Sequence, residues 1–179
     1  TGSIQHILLG MAAEKNLGDA HALDNNIQRM SHAEGMAALE AGVVKLHLTS
    51  APFIYQEREQ SKYVELPEVN SVWPQGNTFL VAMASTSLEK DKELYEAVRK
   101  AFLQSVDFIN ANPDKTVAIE EKYLQLDEQV IKSYMNKPDC KFFNDIRGLA
   151  TMASFMKRAG FIDNDVTREK FCYDGVACE

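Results

Sequence analysis

A chain of 179 residues, 45% hydrophobic and 25% charged, has the size and composition of one globular domain or two small lobes. Its net charge of −7 argues against nucleic acid as a partner, since neutralising phosphates needs a basic face; a small anion held by backbone dipoles stays open. No run reaches the roughly 18 apolar residues of a membrane span, and no signal peptide opens the sequence.

Thr1-Gly2-Ser3 lead at once into an amphipathic helix, with no initiator methionine and no leading strand, as expected of a mature chain or a fragment. Ile4, Ile7, Leu8, Met11 and Ala12 recur with the period of one buried helix face. Ser3 stands at the N-cap, and Asn16 and Gly18 are stop signals. The run AHALDN reads as a short strand. Ser31-x-x-Glu34 is a capping box opening a second helix, which Gly42 closes. Val43 to Leu48 is the clearest strand, with Val44, Leu46 and Leu48 on one face and Lys45 and His47 on the other. A short helix, FIYQEREQ, is expected after Pro52, then an edge strand, KYVELPEV, limited by Pro67. SVWPQGN is a loop, and TFLVAMA a second strand with Phe79, Val81 and Met83 on one side.

Beyond this point the pattern turns helical. Thr86-x-x-Glu89 is a further capping box, and Leu94, Val98, Phe102, Val106 and Ile109 form a long apolar stripe. Asn112-Pro113 ends that helix and starts the next, with proline at N1. Helices follow at Asp114–Leu124, Asp127–Asn136 and, after a break at Pro138–Phe143, Ile146–Ala159, stopped by Gly160. Alternating helix and strand up to about residue 76 predict an α/β fold with a parallel sheet. The nearly all-helical remainder lacks a sheet of its own, so its amphipathic faces need an apolar surface that the sequence supplies only in part.

Catalytic and metal chemistry find no support. His32-Ala33-Glu34 has the form of a zinc-deaminase motif, but Pro138-Asp139-Cys140 runs into Lys141-Phe142-Phe143, without the second thiolate of that site. Glu34 is better explained as a capping partner. His6, His21, His32 and His47 show no metal-ligand spacing, and there is no nucleophile elbow, phosphate loop or dinucleotide turn. No enzyme activity, metal or cofactor is therefore expected. Cys140, Cys172 and Cys178 allow three choices of a single disulfide, or none. Binding has three candidate places. Thr1-Gly2-Ser3 before a helix offers free N–H groups, a positive dipole end and a hydroxyl. Thr49-Ser50-Ala51-Pro52-Phe53 lies at the carboxyl end of the expected strand, where open α/β sheets hold ligands, or is a plain strand-to-helix turn. Trp73 to Thr78 combine an aromatic, amides and a glycine, with Trp73 either stacking on a ligand or covering the core.

Five segments in order carry a family resemblance: GSIQHILLGMAAEKNLGD, MSHAEGMAALEAGVVKLHLTSAPFIYQERE, GNTFLVAMAS, LYEAVRKAFLQSVDFINANPDKTVAI and LATMASFMKRAGFI. Together, from Gly2 to about Ile162, they resemble the solute-binding proteins of nitrate-, sulfonate- and taurine-type ABC importers, a group that includes binders of thiamine pyrimidine precursors. The resemblance implies a type II periplasmic-binding-protein-like fold, present in part. Residues 1–76 would be the second α/β lobe with its ligand-facing loops. Residues 77–179 would be the return strand and C-terminal helices completing a first lobe that the sequence lacks. It implies a small-molecule ligand, a membrane permease as partner, and a periplasmic or membrane-anchored extracellular location. The implied ligand-binding residues are Gly2, Ser3, Ile4, Gln5, Ser50, Pro52, Phe53, Gly76 and Asn77. Two alternatives stand beside it: a homo-oligomerising module whose exposed apolar faces take up a partner, and an enzyme resembling thiamine pyrimidine synthases, which would need a reactive histidine or metal cluster.

Overall fold

The computed structural model describes residues 3–51, 53–73, 84–124, 126–138 and 140–178. Gly2, Pro52, Gly76, Asn77 and the strand expected at TFLVAMA thus lie outside or almost wholly outside the described residues. The chain divides into two compact units, Thr1–Gln75 with Ser154–Asn164, and Gly76–Ala153 with Asp165–Glu179.

In the first unit, helix α1 spans Ile4–Leu17. Ser3 caps it, its hydroxyl accepting the His6 N–H at 3.3 Å, and Ile7, Ala12 and Ala13 form its buried face. Gly18, at φ +80°, ends it and returns its N–H to the Glu14 carbonyl; only glycine takes that backbone without strain. AHALDN is not a strand. It forms a turn and a short 3-10 helix, Asp24–Asn26, because Asp19 accepts the His21 N–H at 2.9 Å and holds the backbone in a local turn.

Helix α2, His32–Glu40, has the expected capping box, with Ser31 and Glu34 bonded reciprocally. Val43 to Leu48 form no strand among the described residues. The N–H groups of Val43 and Val44 turn back to the Ala38 carbonyl, and Val43 and Leu46 are 71% and 44% exposed. His47, expected to share a face with Lys45, turns inward to Glu57. Helix α3, Phe53–Arg58, follows as expected. The edge strand does not form: residues 63–66 have no regular structure, and helix α4, Pro67–Asn70, starts at Pro67, whose fixed φ suits a first helical position. The returning segment adds Phe155, buried, and Phe161. A methyl group at Gly10 would stand 3.2 Å from both the Phe161 ring and the Ala20 carbonyl, so α1 meets this segment through bare backbone.

The second unit is helical. Helix α5 spans Thr86–Lys90 and helix α6 Lys92–Ala111. The expected Thr86–Glu89 capping box is absent: Ser85 is the N-cap, and Glu89 accepts the Asp174 N–H at 3.0 Å. Along α6 the apolar stripe is incompletely covered, with Leu94 51% and Phe102 54% exposed. Helix α7, Pro113–Leu124, opens on its proline, and helix α8, Glu128–Met135, is capped by Asp127. Val117, Ile131 and Tyr134 are buried in these helices, and the Tyr134 hydroxyl donates to Glu120. Strand β1, Asp145–Ile146, precedes helix α9, Leu149–Arg158, which starts later than the expected Ile146 because that residue is in the strand. Helix α10, Arg168–Phe171, leads to strand β2, Ala177–Cys178. β1 and β2 pair in parallel, Asp145 with Ala177 and Ile146 with Cys178. So the described sheet, small as it is, lies in the half expected to lack one, and the first unit shows no strand among its described residues. Of the three possible cysteine pairs, Cys172–Cys178 forms. The loop it closes rests on α6: Tyr95 donates to the Asp174 carbonyl, and Arg99 to the Gly175 carbonyl at 3.0 Å.

Candidate functional site

Three helix N-termini of the first unit meet at one imidazole. Gln5 lies in the first turn of α1, His32 is the first residue of α2, and Phe53 is the first residue of α3. His32 Nε2 is 3.3 Å from Gln5 Nε2 and 3.2 Å from Ser50 Oγ. The His32 ring stacks on Phe53, with centroids 5.6 Å apart and planes at 26°. An amide N–H directed at Nε2 makes that nitrogen the acceptor, which puts the ring proton on Nδ1 and leaves the Ser50 hydroxyl to donate to the same lone pair. Burial holds the His32 pKa below its usual 6.5, and the charge of His47 adds to the effect while Glu57 opposes it. The ring is thus neutral at pH 7, consistent with its acceptor role.

Behind His32 lies a second histidine. The ring centroids of His32 and His47 are 5.8 Å apart. His47 Nδ1 is 2.7 Å from Glu57 Oε1, with the two side chains only 9% and 10% exposed. The room for His47 comes from Gly35 on α2: a methyl there would lie 2.3 Å from His47 Nε2. The pair ties the loop before Ser50 to α3 and, through the glycine, to α2. One residue from Ser50, Thr49 Oγ1 is buried with no hydrogen-bond partner, a state that costs about 1–3 kcal/mol unless a further group satisfies it.

Of the residues expected at a binding site, Gln5, Ser50 and Phe53 come together here. Ser3 caps α1 one turn away with its hydroxyl engaged by the His6 N–H, and Ile4 is half-buried. His32, His47 and Glu57 were not among the expected residues. His32 had a readable signal, since it follows the N-cap Ser31 as the α1 residues follow Ser3; the bond from His47 to Glu57 had none, because alternation along Val43 to Leu48 says only that His47 shares a face with Lys45. Among the described residues, no group of three or more His, Cys, Asp or Glu side chains could hold a metal ion, and no helix is long and apolar enough to cross a membrane.

The second unit has a groove of about 530 Å³ between α6 and α7, lined by Gln104, Phe108, Ile109, Thr116, Ile119 and Glu120 among others. No family model, no curated protein and no solved structure matches this chain.

Proposed function

We propose that this chain is the ligand-contacting part of an extracytoplasmic solute-binding protein serving an ABC importer. The ligand would be a small organic molecule or oxyanion of the sulfonate, nitrate or pyrimidine-precursor class. The observation that carries the reading is the meeting of the α1, α2 and α3 N-termini at Gln5, His32, Ser50 and Phe53. Helix N-termini direct unsatisfied N–H groups and positive dipole ends outward, which suits an anion without any basic side chain. The His32–Phe53 stack gives an aromatic wall for a planar ring. The unpartnered Thr49 hydroxyl beside Ser50 adds a donor or acceptor in want of a partner. This reading keeps the type II periplasmic-binding-protein-like architecture, with residues 1–76 as the second lobe and 77–179 as the segment completing the first, and it includes a membrane permease as partner. The Cys172–Cys178 disulfide fits an oxidising compartment. No catalytic step, metal or cofactor belongs to it.

Isothermal titration of the chain with taurine, nitrate and an aminopyrimidine tests this. Saturable binding of one of them is expected, weakened roughly tenfold by Gln5→Ala or Ser50→Ala as one hydrogen bond is lost. Absence of binding across the three would overturn the reading.

A second reading, an interaction module that forms homo-oligomers, has its own support in the second unit. Leu94, Phe102 and Ile119 are about half exposed along α6 and α7, the kind of patch that associates. Sedimentation over a range of concentrations is expected to show self-association under this reading; a strict monomer throughout would dismiss it.

A further inference from the structure

A second histidine pair in the first unit, apart from the candidate binding site, surrounds Phe161. His21 Nδ1 is 2.8 Å from Asp24 Oδ2, and His21 Nε2 is 2.7 Å from the Ala159 carbonyl oxygen. A carbonyl only accepts. An ionised carboxylate only accepts as well, and hydrogen bonds from His6 and His21 keep Asp24 below its usual 3.8. Both ring nitrogens of His21 therefore face acceptors, and a neutral imidazole has one N–H to offer. Only the imidazolium satisfies the two together. The other Asp24 oxygen is 2.9 Å from His6 Nε2. The Phe161 ring packs against both imidazoles, edge-on to His6 at 5.1 Å and tilted to His21 at 4.9 Å. His6, Asp24, His21 and Phe161 thus form a closed cycle of contacts joining α1, the Asp24 turn and the returning segment.

We propose that His21 is a pH-dependent latch. Doubly protonated, it fastens the stretch from Ala159 to Phe161 onto α1 and the Asp24 turn; with one proton lost, it must release either Asp24 or the Ala159 carbonyl. That carbonyl follows directly on the last residue of α9, at the end of a helix where orphan acceptors and the negative dipole end favour a cation. The charges acting on His21 are those of Asp24 and Asp19, both negative, and Asp19 also accepts the His21 N–H. The neighbouring cations are already engaged: Arg158 on Glu14 of α1 at 2.7 Å, and Lys157 on the Asp163 carbonyl. The Ala159 carbonyl and Asp24 accordingly hold the His21 pKa above its usual 6.5. A group raised in this way contributes fully below 6.5, and its contribution is lost as pH rises through the folded value. At the acid end the latch opens again when Asp24 is protonated, below 3.8.

Two measurements on the whole chain test the latch. Imidazole nitrogen NMR of His21 should show both nitrogens protonated at about pH 6 and a midpoint above 6.5; a midpoint at or below that value overturns the proposal. Amide exchange of the peptide covering residues 154–164, referenced to a peptide of α8 to remove base catalysis, should lose protection roughly twofold to fivefold between about pH 6 and about pH 9. The loss should vanish in His21→Asn. Protection independent of pH in the unsubstituted chain, or the same loss in His21→Asn, overturns it.

Discussion

Replacing Gly35 by alanine sets two effects of opposite sign against each other. In a helix interior the change ordinarily stabilises by about 0.5–1 kcal/mol, because glycine loses more backbone entropy. Here the new Cβ would lie 2.3 Å from His47 Nε2, 2.6 Å from Cδ2 and 3.0 Å from Cε1. The whole ring edge is overlapped, so the imidazole must retreat by roughly 1 Å to reach van der Waals contact. That retreat is incompatible with the 2.7 Å bond to Glu57, in a pair whose side chains are 9% and 10% exposed. Losing a charge-assisted bond costs about 1.5–3 kcal/mol, and this outweighs the helix term. The net expectation is destabilisation by about 1–2 kcal/mol, equivalent to about 5–15 °C in the Tm of a unit this small. Thermal and urea unfolding of Gly35→Ala would read it. A double-mutant cycle isolates the cause: with His47→Ala the space is open, and Gly35→Ala should then stabilise by the ordinary helix increment. Stabilisation by Gly35→Ala in the chain that keeps His47, or the same effect in both backgrounds, would show that the His47 ring does not oppose the new methyl group.

His32 should titrate in the opposite sense to His21. Its pKa lies below 6.5 through burial, so its contribution to stability is complete above 6.5 and is lost as pH falls toward the folded value; an NMR midpoint at or above 6.5 would be the wrong result. Tyr134→Phe removes the hydroxyl that donates to Glu120 and joins α8 to α7, at an expected cost of about 1–3 kcal/mol in urea unfolding; an unchanged midpoint would show that bond to be dispensable. Cys172→Ser opens the loop held to α6 by Tyr95 and Arg99. The chain-entropy account gives a loss of about 2 kcal/mol for so short a loop, and reductant should lower the Tm of the unsubstituted chain and leave that of Cys172→Ser unchanged.

Helix starts were legible where their chemistry is local. Ser3, Ser31 and Asp127 cap the helices placed after them, and Pro113 opens its own, because a hydroxyl or carboxylate reaches N–H groups only two or three residues away. The Thr86–Glu89 pair has the same local form and fails, since the Asp174 backbone, remote in sequence, takes the Glu89 carboxylate. Strands were harder to read for a related reason. Alternation from Val43 to Leu48 says which residues share a face, but a strand persists only through a neighbour that takes up its backbone groups. Among the described residues none runs beside it. The segment's N–H groups are spent partly on the preceding helix at Ala38, and its side chains are placed by the His47–Glu57 bond in place of a ladder.

The same distinction separates the parts of the candidate site. Gln5, Ser50 and Phe53 sit beside helix starts, within reach of local rules, although Ser50 and Phe53 were expected there as the end of a strand that does not form and Gln5 through the family resemblance. His47 and Glu57 belong to the site through a bond that no spacing rule specifies, and the trace it leaves in the sequence is displaced onto another residue. Gly35 stands inside an alanine-rich helix where alanine would be favoured by about 0.5–1 kcal/mol. That penalty opposes folding unless something occupies the bared backbone, and the occupant is the His47 ring. Glycine and histidine are therefore one feature written in two places. The imidazole that bonds Glu57 behind His32 has room beside α2 because the helix gives up a methyl group at the point of contact.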